Sequence, residues 1–290
     1  MKNMKKILSL LLSLVLMLGL CLSVNVSAED SEDSTTTGYT VDSDTKTITV
    51  NAVDSSDYTK NTGIQDAINY INGLGTSSDS TAKQNWTITV NSGTYYRFTV
   101  LTGLNGLSVQ AKDGAEVEII VLNDDDAPVS AGGGYPDTYG VSIRYANYVT
   151  IDGLTFTSKN GTKCVYDYIA AAISNFTEAV EKGDYITITN CIFNGSGTFY
   201  GVMFGDSTYW KISNCEFNNQ NYAISYMADN SDVNIVKIDS NTFNNCVRAI
   251  DGYFGSGYTV NEDTSSFGNY YFTNNTIIGS EDLNCKILIS

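Results

Sequence analysis

The 290-residue chain contains no histidine, and arginine occurs at only three positions, 97, 144 and 248. Acidic residues number 32 against 16 basic ones, for a net charge of −16. Without His, and with no Cys-x-x-Cys pair among its six cysteines, the chain lacks the ligand spacings of a zinc site. Affinity for nucleic acid comes largely from Lys and Arg on phosphates, so a chain this acidic is not built for a nucleic-acid partner, and the same charge repels an anionic membrane. The excess of carboxylates has two readings. One is solubility outside a cell; the other is binding of Ca²⁺, whose ligands are carboxylate oxygens.

The N-terminus reads as an export signal over residues 1–28. Lys2, Lys5 and Lys6 precede a nearly unbroken apolar run at 7–22, and Val26-Ser-Ala28 supplies the small-residue cleavage site. A retained anchor is the alternative, because the run approaches spanning length. Leu20 is too large to make Cys21 a lipoprotein site. Cleavage places the protein outside the cell or on its surface, with no membrane association of its own. Residues 29–38 are Ser, Thr and acid without periodicity and read as a disordered spacer. Residues 39–290 remain as one domain.

That domain repeats a phrase. Ile186-Thr-Ile-Thr-Asn-Cys-Ile-Phe193 returns as Trp210-Lys-Ile-Ser-Asn-Cys-Glu-Phe217 and as Val236-Lys-Ile-Asp-Ser-Asn-Thr-Phe243. Aligned copies share an apolar residue (Ile151, Ile188, Ile212, Ile238, Phe272) and a second one five positions on (Phe156, Phe193, Phe217, Phe243, Ile277). Between them lie Gly153, Asn190, Asn214, Ser240 or Asn274, then Leu154, Cys191, Cys215, Asn241 or Asn275. Strand side chains alternate faces, so two inward residues five apart require a corner. Asn suits it through its tolerance of left-handed backbone angles, and such corner residues, stacked, can form a polar ladder. A third strand follows each Phe: Gly201-Val-Met-Phe, Tyr222-Ala-Ile-Ser, Arg248-Ala-Ile-Asp. Units of this length bury their apolar edges only against neighbours. The expected fold is all-β: a right-handed parallel β-helix, a three-sheet solenoid. An antiparallel sandwich is the alternative, but it would not need like residues at like offsets.

Upstream, residues 39–53 suit a first strand. Residues 62–73 form a helix with Ile64, Ala67, Ile68 and Ile71 on one face, Thr62 as cap and Gly73 at the end. The first full coil begins near Trp86. The final Lys-Ile-Leu-Ile at 286–289 reads as a strand with no cap behind it, a sign of a longer native protein. Five cysteines outlast cleavage: Cys164, Cys191, Cys215, Cys246 and Cys285. The odd number leaves a thiol unpaired. Cys191 and Cys215 fall in adjacent coils at a spacing that suits a disulfide, but their parallel inward direction favours stacked buried thiols.

The Asn-Cys-x-Phe phrases and the Ile-Gln-Asp-Ala-Ile helix resemble the pectate-lyase-like superfamily of right-handed β-helices, over roughly residues 50–290. The resemblance implies an N-terminal capping α-helix, and a substrate groove along one sheet, rimmed by the bend that follows each of its strands. The matching strands are centred on Ile143, Ile173, Met203, Ile224 and Ile250, with enlarged bends at 175–185, 226–234 and 252–270. Tyr226, Tyr253, Phe254 and Tyr258 are the sugar-stacking candidates, against plain packing of loop on coil. Asp206, Asp229, Asp232 and Asp251 are the Ca²⁺ candidates. For catalysis the candidates are Arg144, Asp206, Arg248 and Asp251. In a regular strand Arg248 and Asp251, three apart, face opposite sides, and Arg144 lies four coils, about 19 Å, from Asp251. Asp206 and Asp251, two coils apart, just meet the carboxyl spacing of about 5–9.5 Å that glycoside hydrolysis needs. The resemblance thus implies a secreted β-helix that binds or degrades extracellular polysaccharide, as a Ca²⁺-assisted lyase or a glycanase. A non-catalytic adhesin-type stalk at the cell surface is the alternative. Ice or mineral binding is set aside for want of flat Thr-x-Thr ranks.

Overall fold

The computed structural model describes residues 38–75, 81–122, 138–143, 146–159, 170–174, 185–195, 199–205, 209–228, 235–254, 269–279 and 286–289. The signal segment, nearly all of the spacer, Cys164 and Cys285 lie outside them. Three sheets run the length of the domain. Sheet A has nine strands, from Tyr39–Asp42 to Asn269–Thr273; sheet B has seven, from Gly93–Tyr95 to Thr276–Ile278; sheet C has seven, from Phe98–Val100 to Lys286–Ile289. A representative coil passes through Ile186–Thr189 in A, Ile192–Asn194 in B and Phe199–Gly205 in C.

Like lies over like. Ile151, Ile188, Ile212, Ile238 and Phe272 are register partners along sheet A. Phe156, Phe193, Phe217, Phe243 and Ile277 are partners along sheet B. All these pairings are parallel, which rules out the sandwich. The Phe column stacks almost face to face, with centroids 5.2, 4.6 and 5.1 Å apart. The A-to-B corner is left-handed in every copy: φ is 71° at Gly153, 53° at Asn190, 55° at Asn214, 58° at Ser240 and 54° at Asn274. Side-chain amides tolerate that region where most residues do not.

The helix Gly63–Gly73 covers the first coils with Ile64, Ala67, Ile68 and Ile71 fully buried. Several expectations change. The Thr62 side chain makes no capping bond to the helix backbone; its hydroxyl donates to Asp66 Oδ2 at 2.8 Å instead, while its carbonyl accepts the Asp66 amide at 3.0 Å. The single strand expected over 39–53 is two, Tyr39–Asp42 and Thr47–Val50, paired antiparallel. Asp42 makes the turn by accepting the Asp44 and Thr45 amides, and Lys46 turns the chain at φ 51°. The polar ladder is also one residue later than expected, because the corner residues Asn190 and Asn214 face solvent. The next residues point inward. Asn275 Oδ1 accepts from Asn241 N and Nδ2 at 2.8 and 3.0 Å, and Asn241 Oδ1 accepts from Cys215 N at 2.9 Å. Buried amides persist only when bonded this way. Cys191 and Cys215 are buried free thiols, and Cys246 is buried as well. Burial, and then the neighbouring Cys215, push the Cys191 thiol well above its ordinary range.

Phe217 is fully buried between two rings of its own kind. Truncation to Ala leaves a cavity that rigid coils on both sides cannot close, so Phe217→Ala is expected to lower unfolding stability by about 3–5 kcal/mol in denaturant titration.

Candidate functional site on the outer face of sheet C

Five of the seven sheet C strands carry a similar four-residue pattern: Tyr139-Gly-Val-Ser, Ala171-Ala-Ile-Ser, Tyr200-Gly-Val-Met, Tyr222-Ala-Ile-Ser, Arg248-Ala-Ile-Asp. The true register partners are Val141, Ile173, Val202, Ile224 and Ile250. The expected centres Ile143 and Met203 are therefore off by two and one residues. The small second residue is a steric requirement. A Cβ on Gly201 would sit 2.5 Å from the Ala223 carbonyl oxygen and 2.8 Å from the Phe217 ring. It also interrupts the alternation: burial is unbroken over Gly201–Phe204 and Ala223–Tyr226, and Ala249 and Ile250 are buried together between half-buried Arg248 and Asp251. Between strand Arg248–Phe254 and its neighbour Lys286–Ile289 the register shifts between Arg248 and Ile250.

Two inward residues in succession bring the first and fourth positions to the same side. Arg248 Nη1 donates to Asp251 Oδ1 at 2.6 Å. The expectation that these residues face opposite sides holds for a regular strand and fails for this one. The Arg248 guanidinium also lies 4.8 Å from the Tyr222 ring centroid, and Tyr222 stacks on Tyr200 at 4.5 Å. The row thus runs Tyr200, Tyr222, Arg248 along three successive coils. One coil earlier the register position belongs to Ala171, and beyond it to Tyr139. Tyr139 receives the Arg97 guanidinium at 5.7 Å, and its hydroxyl lies 3.3 Å from Thr99 Oγ1. Among the described residues no aromatic ring covers the Tyr200 face turned towards Ala171.

The electrostatics make this a charged but internally matched site. The hydrogen bond with Asp251 raises the Arg248 pKa above its already high value, against the opposing effect of burial. Arg248 therefore stays a cation and does not accept a proton. Burial, then the neighbouring Tyr222 and Asp251, push the Tyr200 phenol well above the ordinary tyrosine range.

The other sequence candidates divide. Arg144, Asp206, Asp229, Asp232 and Tyr258 lie outside the described residues. Tyr253 and Phe254 belong to the strand Arg248–Phe254 and not to a bend. Tyr226 was expected on a bend as a sugar platform; it is instead a strand residue, 4% exposed, stacked 5.7 Å from Phe204 in the core. Among the described residues no three acidic or sulfur-bearing groups come together as a metal site. Asp251, the one described Ca²⁺ candidate, has Oδ1 committed to Arg248; the other three lie outside the described residues.

Sequence comparison is silent: no protein-family model matches the chain, and no curated protein matches it. Solved structures do. A glycosyl hydrolase-like protein from Parabacteroides merdae aligns with 79% of this chain and 97% of its own, at 13% identity and a TM-score of 0.47. A pectin methylesterase variant in complex with a hexasaccharide aligns with 72% of this chain and 73% of its own, at 16% identity and 0.40. PfbA, a surface adhesin of Streptococcus pneumoniae, aligns with 78% and 77%, at 16% identity and 0.30. The fold of this chain is a right-handed parallel β-helix. That statement stands on the three sheets of this chain and on the parallel pairing of their strands from Thr47–Val50 onward.

Two buried phenols make stability depend on alkaline pH. Tyr95 is pushed up to about 12 by burial, and Tyr200 further. An unfolded tyrosine ionises near 10, so above that pH the unfolded chain loses protons that the folded one keeps. Stability is then full below about pH 10 and falls as pH rises through about 12. Denaturant midpoints measured between pH 8 and pH 12 are expected to show that fall, and Tyr95→Phe with Tyr200→Phe is expected to flatten it.

Proposed function

We propose that this protein is an exported β-helix that binds extracellular polysaccharide along the outer face of sheet C. The observation that carries the reading is the row Tyr200, Tyr222, Arg248, with Asp251 bonded to its last member. It offers an aromatic face beside Ala171 for the apolar side of a sugar ring. It also offers guanidinium donors and a carboxylate oxygen for ring hydroxyls, on a scaffold too rigid to need ordering on binding. Export rests on the N-terminal pattern, and among the described residues no helix is long and apolar enough to cross a membrane.

Between a degrading enzyme and a non-catalytic surface protein, one observation favours the second. Arg248 and Asp251 spend their charges on each other, so this row holds neither a proton-accepting base nor an uncommitted cation for a uronate. Lyase or glycanase chemistry, with or without Ca²⁺, would draw on candidates outside the described residues, Arg144, Asp206, Asp229 and Asp232.

Incubating the mature protein with pectin, alginate and neutral glycans, with and without Ca²⁺, tests both readings. Binding to at least one glycan is expected, weakened up to about tenfold in Tyr222→Ala, the scale of one aromatic contact. Retention of none of them would overturn the proposal. Unsaturated uronate or new reducing ends would overturn the non-catalytic reading and leave binding in place.

A further inference from the structure

A second surface carries chemistry that neither the groove nor the core uses. On sheet A, the residue three before each core Ile is Tyr148, Tyr185 or Tyr209, in successive coils. Tyr148 and Tyr185 occupy the corner entering the sheet, both at φ 59°. Their rings stack at 4.6 Å, and Tyr185 stacks on Tyr209 at 5.7 Å. Unlike the Phe column of the core, this stack lies in solvent: Tyr148 is 58% exposed and Tyr185 41%. The preceding coil has Gly106 at the matching place, its amide bonded to the Asn147 carbonyl, so the stack begins on an uncovered ring.

The stack leads into a pair of lysines. Lys211 and Lys237 are direct register partners on adjacent parallel strands, with Tyr271 next in line. Lys237 Nζ lies 5.6 Å from the Tyr209 ring and 5.8 Å from the Tyr271 ring, within cation–π reach, and Tyr271 is 48% exposed. Like charges placed directly opposite each other across a strand pair repel. Among the described residues neither lysine has an ion-pair partner, whereas Lys60 and Arg248 do. The acids of this part of the face, Asp152 and Asp239, sit at the far ends of their strands and are occupied: Asp152 accepts from Asn190 at 2.7 Å, and Asp239 from Thr273 and from Asn274 at 3.0 Å. The protein as a whole carries a net charge of −16, yet here it sets two cations side by side, with Asp239 close enough to Lys211 to feel its charge but not ion-paired with either lysine.

We infer that the outer face of sheet A, from Tyr148 through Tyr185, Tyr209, Lys211 and Lys237 to Tyr271, binds an acidic polysaccharide chain lying along the solenoid axis. Five strands at about 4.8 Å give a strip about 19 Å long. Its carboxylates sit between the two ammonium groups and remove their repulsion. Its sugar rings pack on the exposed tyrosines, whose hydroxyls line the stack. Thr-Ile-Thr ranks, not expected from the sequence, do occur on this sheet at 47–49, 87–89 and 187–189. Gln110 and Asp152 interrupt them, so the face does not offer the unbroken array an ice lattice would need.

This inference rests on the carbohydrate reading and names its substrate class and a separate surface. The test is binding of the full mature chain to polygalacturonate, alginate and a neutral glucan, comparing wild type with Lys211→Gln/Lys237→Gln, Tyr148→Ala/Tyr185→Ala and, on sheet C, Tyr222→Ala. The lysine pair variant is expected to bind both uronate polymers at least about tenfold more weakly. It should also lose most of the salt dependence of binding, while its thermal midpoint stays level or rises as the repulsion disappears. The Tyr148→Ala/Tyr185→Ala variant should weaken uronate binding as well. Uronate binding unchanged in the lysine variant, or wild-type binding to the glucan alone, overturns the sheet A strip and leaves the sheet C proposal standing. No glycan binding by wild type overturns both.

Discussion

Register between neighbouring coils governs this molecule. Parallel strands at about 4.8 Å place each residue directly over its counterpart, so whatever chemistry one coil has at a position the next must match or accommodate. Inside, the match is Ile over Ile on sheet A and Phe over Phe on sheet B. Where an interior position turns polar it must do so in adjacent coils. Asn241 can be buried because Asn275 stands over it and accepts from it; a single amide there would leave orphaned donors at a cost of about 1–3 kcal/mol. The same logic explains why glycine or alanine recurs as the second residue of the sheet C pattern. The strand above supplies a carbonyl where a larger side chain would go.

Outside the coil the register is just as strict, but no packing demand selects the residues. The result is ladders on the surface: tyrosines on both exposed faces, and cations beside them on both. Stacking of exposed rings contributes modestly to stability, and an exposed like-charge pair opposes it. Neither is what a coil needs in order to fold.

The interior was the part most readable from residues alone. Core columns repeat residue type at fixed offsets, and a period is visible in one sequence without any knowledge of contacts. The site was harder to read because it depends on departures from period. Arg248 and Asp251 are three apart, and strand alternation separates them; only the paired inward turn of Ala249 and Ile250 brings them together. Tyr226 carries an aromatic ring at the far end of a strand that runs to Ala228, longer than its pattern indicated, and so it joins the core. The sheet A tyrosines, by contrast, were available: shifting the alignment three residues upstream of Ile151, Ile188 and Ile212 finds Tyr each time. They lie just upstream of the buried residues Val149, Ile186 and Trp210, outside the phrase whose period marks the core.

The two exposed ladders differ in how their charges are resolved, and that difference bears on what each can bind. On sheet C the guanidinium and carboxylate neutralise each other at 2.6 Å, half-buried, so a ligand there meets a dipole and an aromatic face. A charged ligand would have to break a charge-assisted bond to gain another, which returns little; a neutral sugar only adds to it. On sheet A neither lysine is ion-paired with a described residue, though Asp239 feels the charge of Lys211, so an incoming carboxylate relieves the repulsion that remains between the two ammonium groups. A polysaccharide that alternates or combines neutral and acidic sugars could engage both faces of one solenoid. The affinity of the pair would then exceed either alone only if a single chain can wrap the corner between sheets C and A, where Tyr148 and Tyr185 stand.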